Sequence, residues 1–454
     1  MTKNHVALSK DHRRGAVATR PKERTSSARK SRGLGAAMKR GLLAASMLAV
    51  TSAGALAVPT YGLLTTIGVP TSGANVQPGG AFTAFDIGFV DPVTGNYYIA
   101  DRSNASVDIF SGVSNTFLGR ATGFAGQGAT TSVSGADGVV VVNSGGVATL
   151  YAGDGGSVLR SFNVTNPAAP IATGTVNTGG GALRVDEMAY SPTNKLLFTA
   201  NNANSPAFSS LISTATPTAP ALVKTAITVP AQTNPGGGLE QSVWNPTTGT
   251  FFVSVPQFGT TDSGGVQEFS AAGVALRVYN FTALGIAACG PTGLGLGASG
   301  NLMVGCGTVG SQTVILNPAG SGSIVTLIGS VSGTDELWYD PASGNYYVTG
   351  VVAGGDRVIS IISDANYATL QTIDLTLLGA GKNNFHSVAV NPFNGEIFVP
   401  LNGTTPTFTD TLCPLGCIAV FGQNVPEPGT LPLIGAALAA LGVWRARPAR
   451  RRKG

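Results

Sequence analysis

Six side chains able to carry charge recur at one place in a repeated pattern of this sequence. Asp86, Asp186, Glu240, Asp335 and His386 each stand six residues before a proline, at Pro92, Pro192, Pro246, Pro341 and Pro392. Asp137 stands six residues before Asn143 in a stretch of the same pattern, and Pro291 occupies the position in a further copy. Carboxylates gathered by a repeat could hold Ca²⁺ or another hard cation through oxygen ligands. They could equally receive a basic or sugar ligand. The structural alternative is that acids at strand starts accept backbone N–H bonds from the next repeat and tie the repeats together.

Other catalytic groups are scarce. Between residues 58 and 424 the single histidine is His386, since His5 and His12 precede that stretch. A multi-histidine metal centre is therefore excluded, and an imidazole acid/base there has no histidine partner. His386 reads more readily as a residue joining repeats than as a general base. The glycine-rich stretches Gly236-Gly-Gly238 and Gly293-x-Gly295-x-Gly297 precede no helix that could hold a phosphate, which argues against a nucleotide site. Four cysteines suit an oxidising destination. Cys289, at the start of an inner strand, and Cys306, at the end of its hairpin partner, are placed for a cross-strand disulfide. Cys413-Pro-Leu-Gly-Cys417 could close on itself, and as a metal site it would supply only two ligands.

The elements that position these residues are β-hairpins. Asp335-Glu-Leu-Trp-Tyr-Asp-Pro341-Ala-Ser-Gly344-Asn-Tyr-Tyr-Val-Thr aligns without gaps with segments starting at Asp86, Asp186, Glu240 and His386. Each reads as strand, tight turn, strand. The turn is Pro-x-x-Gly in four copies, with Lys195 replacing the glycine in another. Proline presets the first central residue, and glycine, or Asn194 before Lys195, can take a positive φ. Degenerate copies at 137–152 and 291–305 bring the total to seven, about 44–54 residues apart. Third strands follow at 106–110, 158–162, 266–269, 358–362 and 418–421, and fourth strands at 221–229 and 368–375. Four antiparallel strands at this period predict a β-propeller. The last copy ends after three strands, so the unassigned strand at 61–69 is expected to complete it and close the ring, removing free edges. A β-helix or two-sheet sandwich is the rival, and the long period argues against both.

The charge summary divides along the chain. Residues 1–40 carry twelve Lys/Arg and the last ten carry six, leaving nine against nineteen Asp/Glu in 58–424. The body is acidic although the chain is formally +5, so a nucleic-acid partner is not expected. Met38-Lys39-Arg40, an apolar run at 41–57 and the ending Ala55-Leu56-Ala57 form a secretory signal with cleavage after Ala57. The basic arm before it is a long leading region or an upstream start ahead of Met38. At the other end, Val425-Pro426-Glu427-Pro428-Gly429-Thr430 leads into an apolar helix at 431–444 and an Arg-rich terminus. That helix is shorter than the roughly 20 residues a spanning helix prefers, and its basic end should stay cytoplasmic.

This tail resembles the PEP-CTERM sorting signal of Gram-negative bacteria. The resemblance implies recognition by an exosortase, a membrane cysteine protease, and cleavage near the box Val425, Pro426, Glu427, Pro428 in bacteria that make exopolysaccharide. The repeat Tyr97-Tyr-Ile-Ala-Asp101-Arg-Ser-Asn-Ala-Ser-Val-Asp-Ile-Phe110 resembles the NHL and YVTN families of propeller repeats. The expected fold is thus all-β: a seven-bladed β-propeller over 58–424, closed by an N-terminal strand. A basic arm plus signal peptide precedes it at 1–57, and a sorting segment follows at 425–454. The expected function is that of an exported, cell-surface or extracellular binding or scaffold protein. Its partners would be an exosortase at the tag and a polysaccharide or envelope protein, with membrane contact only through the tag. No cofactor is required, although Ca²⁺ could occupy the acidic ring. A metal-dependent propeller hydrolase or lyase using that ring is the enzymatic alternative.

Overall fold

The repeated turn is built by its first residue. The carbonyl of Asp91, Asn245, Asp340 or Asn391 accepts the N–H of the glycine four residues on, at 2.8–2.9 Å. The side chain of that residue then caps the turn from inside: Asp91 Oδ1 accepts from Val93 N, Asn245 Oδ1 from Thr247 N and Asn391 Oδ1 from Phe393 N, at 2.9–3.1 Å. Such local side-chain capping is why Asp and Asn start turns. Gly95, Gly249, Gly344 and Gly395 close them at φ between +66° and +74°, a conformation with no Cβ penalty for glycine. In the third copy the closing residue Lys195 itself takes φ +53°. The expectation that Asn194 would do so is corrected: the sign of φ belongs to the position, and Asn194 Nδ2 instead donates to Ser191 Oγ at 3.0 Å.

The computed structural model describes residues 60–424 except 235–236, 260–263, 381–385 and 405–408. The signal segment, the sorting box at Val425, Pro426, Glu427 and Pro428, and the apolar stretch at 431–444 lie outside the described residues. Among the described residues no helix is long and apolar enough to cross a membrane. The strands form seven four-stranded antiparallel sheets, the blades of a propeller. Their inner strands are Phe85–Val90, Val139–Ser144, Met188–Ser191, Ser242–Asn245, Pro291–Leu296, Leu337–Asp340 and Ala389–Val390. They are numbered here as blades one to seven. Each inner strand packs beside the next, and the seventh beside the first.

The core is a set of layers between blades rather than one centre. Tyr98, Ile109, Val139 and Leu150 fill the space between blades one and two. Phe198, Leu211, Phe251 and Phe269 fill that between three and four, and Tyr347, Ile361, Val390 and Val399 that between six and seven. Because both faces of a blade are covered, Val139, Val140, Val141 and Val142 are all buried in succession, without the polar alternation of a half-exposed sheet.

Closure is made by the N-terminal strand. Thr60–Gly68 pairs antiparallel with Cys417–Asn424, from Thr60 opposite Asn424 to Gly68 opposite Cys417, and is the outermost strand of blade seven. It also grips blade six: Tyr61 N donates to Gln371 Oε1 at 2.7 Å, and Gln371 Nε2 donates to Tyr61 O at 2.8 Å. Tyr61 Oη meets Tyr347 Oη at 2.9 Å. Both cysteine pairs are joined, Cys289 with Cys306 and Cys413 with Cys417. Cys289 lies in the loop before its inner strand, which starts at Pro291, rather than at the strand start expected. The bridge still forms because Pro291 is registered opposite Cys306.

Two substitutions test this construction. Lys195→Gly removes a left-handed non-glycine residue, which costs about 1–2 kcal/mol, against a glycine entropy penalty of about 0.5–1 kcal/mol. The urea midpoint should therefore rise by the equivalent of about 0.5–1 kcal/mol. Gln371→Ala leaves the Tyr61 N–H and C=O without their partner and should lower stability by about 1–3 kcal/mol. An unchanged midpoint would show that the clasp between blades six and seven lies elsewhere.

Candidate functional site

The repeat delivers its charged position to one end of the central channel. Asp86 is the second residue of its inner strand. Asp137, Asp186, Glu240 and Asp335 each stand two residues before theirs, and His386 stands three before Ala389–Val390. Since the seven inner strands are neighbours in a ring, six of the seven blades contribute a titratable group to the same rim, while Pro291 fills the place in blade five.

Guanidinium groups, not backbone amides, hold part of this rim. Arg102, just beyond the second strand of blade one, brings Nη2 to 2.6 Å from Asp86 Oδ2 and 2.5 Å from Asp137 Oδ1. Its Nε donates to Asp137 Oδ1 at 2.9 Å. Arg184 Nη2 lies 2.5 Å from Asp186 Oδ2. His386 Nε2 is 3.4 Å from Asp86 Oδ1, and its ring stacks on Phe85 with centroids 5.0 Å apart.

Backbone ties between blades come from the next residue along the repeat. Gln241 Oε1 accepts the N–H groups of Leu294 and Leu337, and its Nε2 donates to Leu337 O. Ser387 Oγ accepts from Gly88 N at 2.7 Å, and Thr292 Oγ1 donates to Thr334 O. Among the described residues no backbone N–H is bonded to the carboxylates of Asp86, Asp137, Asp186, Glu240 or Asp335; those that join blades do so through side chains, Asp137 with Arg102 of blade one and Asp86 with His386 of blade seven.

Two contacts join blades that are not neighbours. Gln241 of blade four reaches blade six, skipping blade five. Phe89 of blade one meets Trp338 of blade six edge-on at 5.5 Å, skipping blade seven. The position that carries Gln241 also carries Glu187 in blade three and Glu336 in blade six, 6% and 4% exposed. Seven carboxylates (Asp86, Asp137, Asp186, Glu187, Glu240, Asp335 and Glu336) thus share the mouth and the space below it.

Burial and mutual repulsion govern their protonation. For Asp86, burial opposes the charged form, but Arg102, His386 and Arg184 together hold it well below the usual carboxylate range. Asp137 goes the other way: burial raises it well above that range despite Arg102. Its Oδ2 is buried without a hydrogen-bond partner, while its Oδ1 takes both bonds from Arg102. Burial pushes Asp186 up to about 6 against Arg184. Glu187, Glu240 and Glu336 are raised well above the ordinary value, first by burial and then by neighbouring acids: Glu336 and Glu240 for Glu187, and aspartates of the rim for the other two. Asp335 is also raised by burial, with His386 opposing.

The structure brings all six ring residues foreseen from the sequence to one rim. Among the described residues no three His, Cys, Asp or Glu side chains form a group that could hold a metal ion. The signal for Glu187 and Glu336 was present in the doublets Asp186-Glu187 and Asp335-Glu336. Nothing local marks Arg102, whose partners Asp86 and Asp137 lie 16 and 35 residues away, whereas Arg184 stands two residues before its partner Asp186.

Residues 424–451 match the family described as "PEP-CTERM protein-sorting motif". The motif marks an exported, membrane-anchored precursor that an exosortase processes to the cell surface. No curated protein matches the chain. Among solved structures, a chain of the mitotic checkpoint complex is similar with a TM-score of 0.54 and 12% identity, over 80% of this chain and 93% of that one. Raptor of Chaetomium thermophilum is similar with a TM-score of 0.55 and 11% identity, over 81% of this chain and 29% of that one. The WD40 β-propeller domain of Doa1 has a TM-score of 0.53 and 11% identity, over 81% and 98%. Likeness at these identities shows the propeller fold alone.

The raised carboxyls make stability depend on pH. A group whose folded pKa exceeds its unfolded value contributes fully below the unfolded value, and that contribution is lost as pH rises through the folded one. For Asp186, between 3.8 and about 6, the loss is about 3 kcal/mol. The buried glutamates extend the loss to higher pH. Asp86 has the opposite sign, its contribution lost only as pH falls below the ordinary carboxylate range. The urea midpoint should therefore fall between about pH 4.5 and pH 7.5, and Glu240→Gln should flatten the slope. A midpoint that climbs over this window would contradict the arrangement.

Proposed function

We propose that the chain is the precursor of an exported β-propeller that serves, after exosortase processing, as a non-enzymatic binding or scaffold module of the cell surface or exopolysaccharide matrix. Residues 38–57 act as its signal peptide, and its blades are of the NHL/YVTN-like kind. The observation that carries the reading is the position of the sorting motif. It begins at residue 424, the last residue of the strand Cys417–Asn424 that the N-terminal strand pairs with. Cleavage beyond that point leaves every blade with four strands. The rim supports binding rather than turnover, because Asp86, Asp137 and Asp186 are engaged by arginines and the imidazole of His386 is stacked on Phe85.

The test is processing in a bacterium that carries an exosortase. The wild-type chain should be recovered from the matrix fraction lacking, besides its signal peptide, about the thirty residues that follow Asn424. The double variant Pro426→Ala/Glu427→Ala should lose only its signal peptide and stay in the membrane fraction with its C-terminal tag. Equal C-terminal processing of both, or a wild-type chain in the matrix that keeps its tag, would refute the proposal.

A further inference from the structure

The two ends of the propeller differ in charge. Each inner strand starts beside the acidic rim and ends at its hairpin turn, so the seven inner turns lie at the opposite end. The charged residues of those turns are Asp91, Lys195, Asp340 and Glu396. Asp91 and Asp340 are buried and accept N–H groups of their own turns. Glu396 is half-buried and accepts from Asn115 Nδ2 at 3.2 Å. Lys195 is exposed. The turn end therefore offers almost no negative charge to solvent, although the body as a whole is acidic.

Apolar side chains project from this end where blades seven and one adjoin. Val93, Val113 and Phe393, all at turn tips, are 60%, 85% and 67% exposed. The turns that carry them are fastened together. Asn391 Nδ2 and Asn394 Nδ2 both donate to Gly112 O, at 2.9 and 3.0 Å. A Cβ added to Gly95 would lie 3.1 Å from Phe393 Cδ2, so the ring rests against the turn that bears Val93. An apolar patch with a polar rim, held on fixed turns, is the kind of surface that meets a protein or a membrane.

Where the chain leaves the ring decides between them. Phe421 is registered opposite Ile397, so the strand Cys417–Asn424 runs toward the turn at 391–396 and ends beside it. Thr60, opposite Asn424, starts the first strand at the same end. The sorting motif begins at residue 424 and marks a membrane-anchored precursor, and the apolar stretch of that segment begins at Leu431. The seven Cα steps from Asn424 to Leu431 can span at most about 25 Å. An anchor there keeps the turn end close to the lipid.

We infer that in the membrane-anchored precursor the turn end beside blades seven and one docks on the phospholipid bilayer. Phe393, Val93 and Val113 enter the headgroup layer, and the acidic rim faces away. This goes beyond the proposed function, resting only on its anchored precursor. Three apolar side chains make a weak contact alone. A short tether makes the contact intramolecular, at an effective concentration of about millimolar. Anionic headgroups favour the end that shows Lys195 over the rim. Cutting at the box removes the tether, so the docked ring is released rather than retained.

The full-length chain, reconstituted into vesicles of phosphatidylethanolamine and phosphatidylglycerol, tests the contact. The native cysteines are paired, so a fluorophore can be placed on Ser114→Cys, beside Val113, or on Ala353→Cys. Both sites are exposed, and Ala353 lies at the rim end, between Asn345–Val351 and Arg357–Ser363. Spin-labelled lipid should cause a loss of fluorescence at Ser114 and none at Ala353. Phe393→Ser/Val93→Ser should abolish that loss and leave the thermal midpoint unchanged, because both side chains point into solvent. Absence of quenching at Ser114, equal quenching at both sites, or quenching that survives the double variant would overturn the inference. Shielding of Ser114 from aqueous iodide without quenching by lipid would assign the patch to a second copy of the chain and equally exclude the bilayer. A chain that is sorted and cut normally while Ser114 stays unquenched sinks this contact and leaves the proposed function standing. One that docks on vesicles but is never cut in cells does the reverse.

Discussion

The pairing of Thr60–Gly68 with Cys417–Asn424 is the contact on which the rest of the molecule depends. Every other blade is assembled from consecutive strands, so its pairings are local in sequence. This one joins residues 349 to 364 positions apart and must overcome the loop-closure entropy of nearly the whole body. Without it blade seven would end in an unpaired edge, and blade six would lose the grip of Tyr61 on Gln371 and Tyr347. The apolar layers between blades need a neighbour on each side. A ring supplies one to all seven blades, whereas an open row leaves two faces bare.

Closure also creates the acidic mouth. A repeat that places an acid at the same point of each blade yields spaced charges along an open chain and a crowd once the ring shuts. The fold tolerates the crowd in two ways. Arg102 and Arg184, drawn from a body with nine basic residues, neutralise the side of blades one to three. Elsewhere burial shifts the carboxyls toward their protonated forms. Neither is favourable for stability by itself, since desolvating charge is expensive even when it is paired. The apolar layers between blades must offset the difference.

The neighbouring position shows how one register serves different ends. In blades four, five and seven it carries Gln241, Thr292 and Ser387, which bond to backbone groups of other blades. In blades three and six it carries Glu187 and Glu336, which repel one another. The strand geometry that aims these side chains inward is the same in each case. What differs is whether the atom at the tip can donate to, or accept from, the backbone it meets.

The sequence by itself determined the elements and their count. The Asx-Pro-x-x-Gly spacing specifies a turn through contacts within five residues, and a strand flanking it on each side follows from local chemistry. The missing fourth strand of the last copy and the spare strand at the start were legible together, because an edge without a partner is visible in a repeat. The six rim residues were legible for the same reason: equal position in a repeat means equal position around an axis. Only the tertiary structure decided what those residues touch. That Arg102 bridges Asp86 and Asp137 and that Gln241 crosses to blade six are consequences of how wide the channel is and which blades stand opposite. Those quantities are set by the packing of seven layers at once, and no window of sequence contains them.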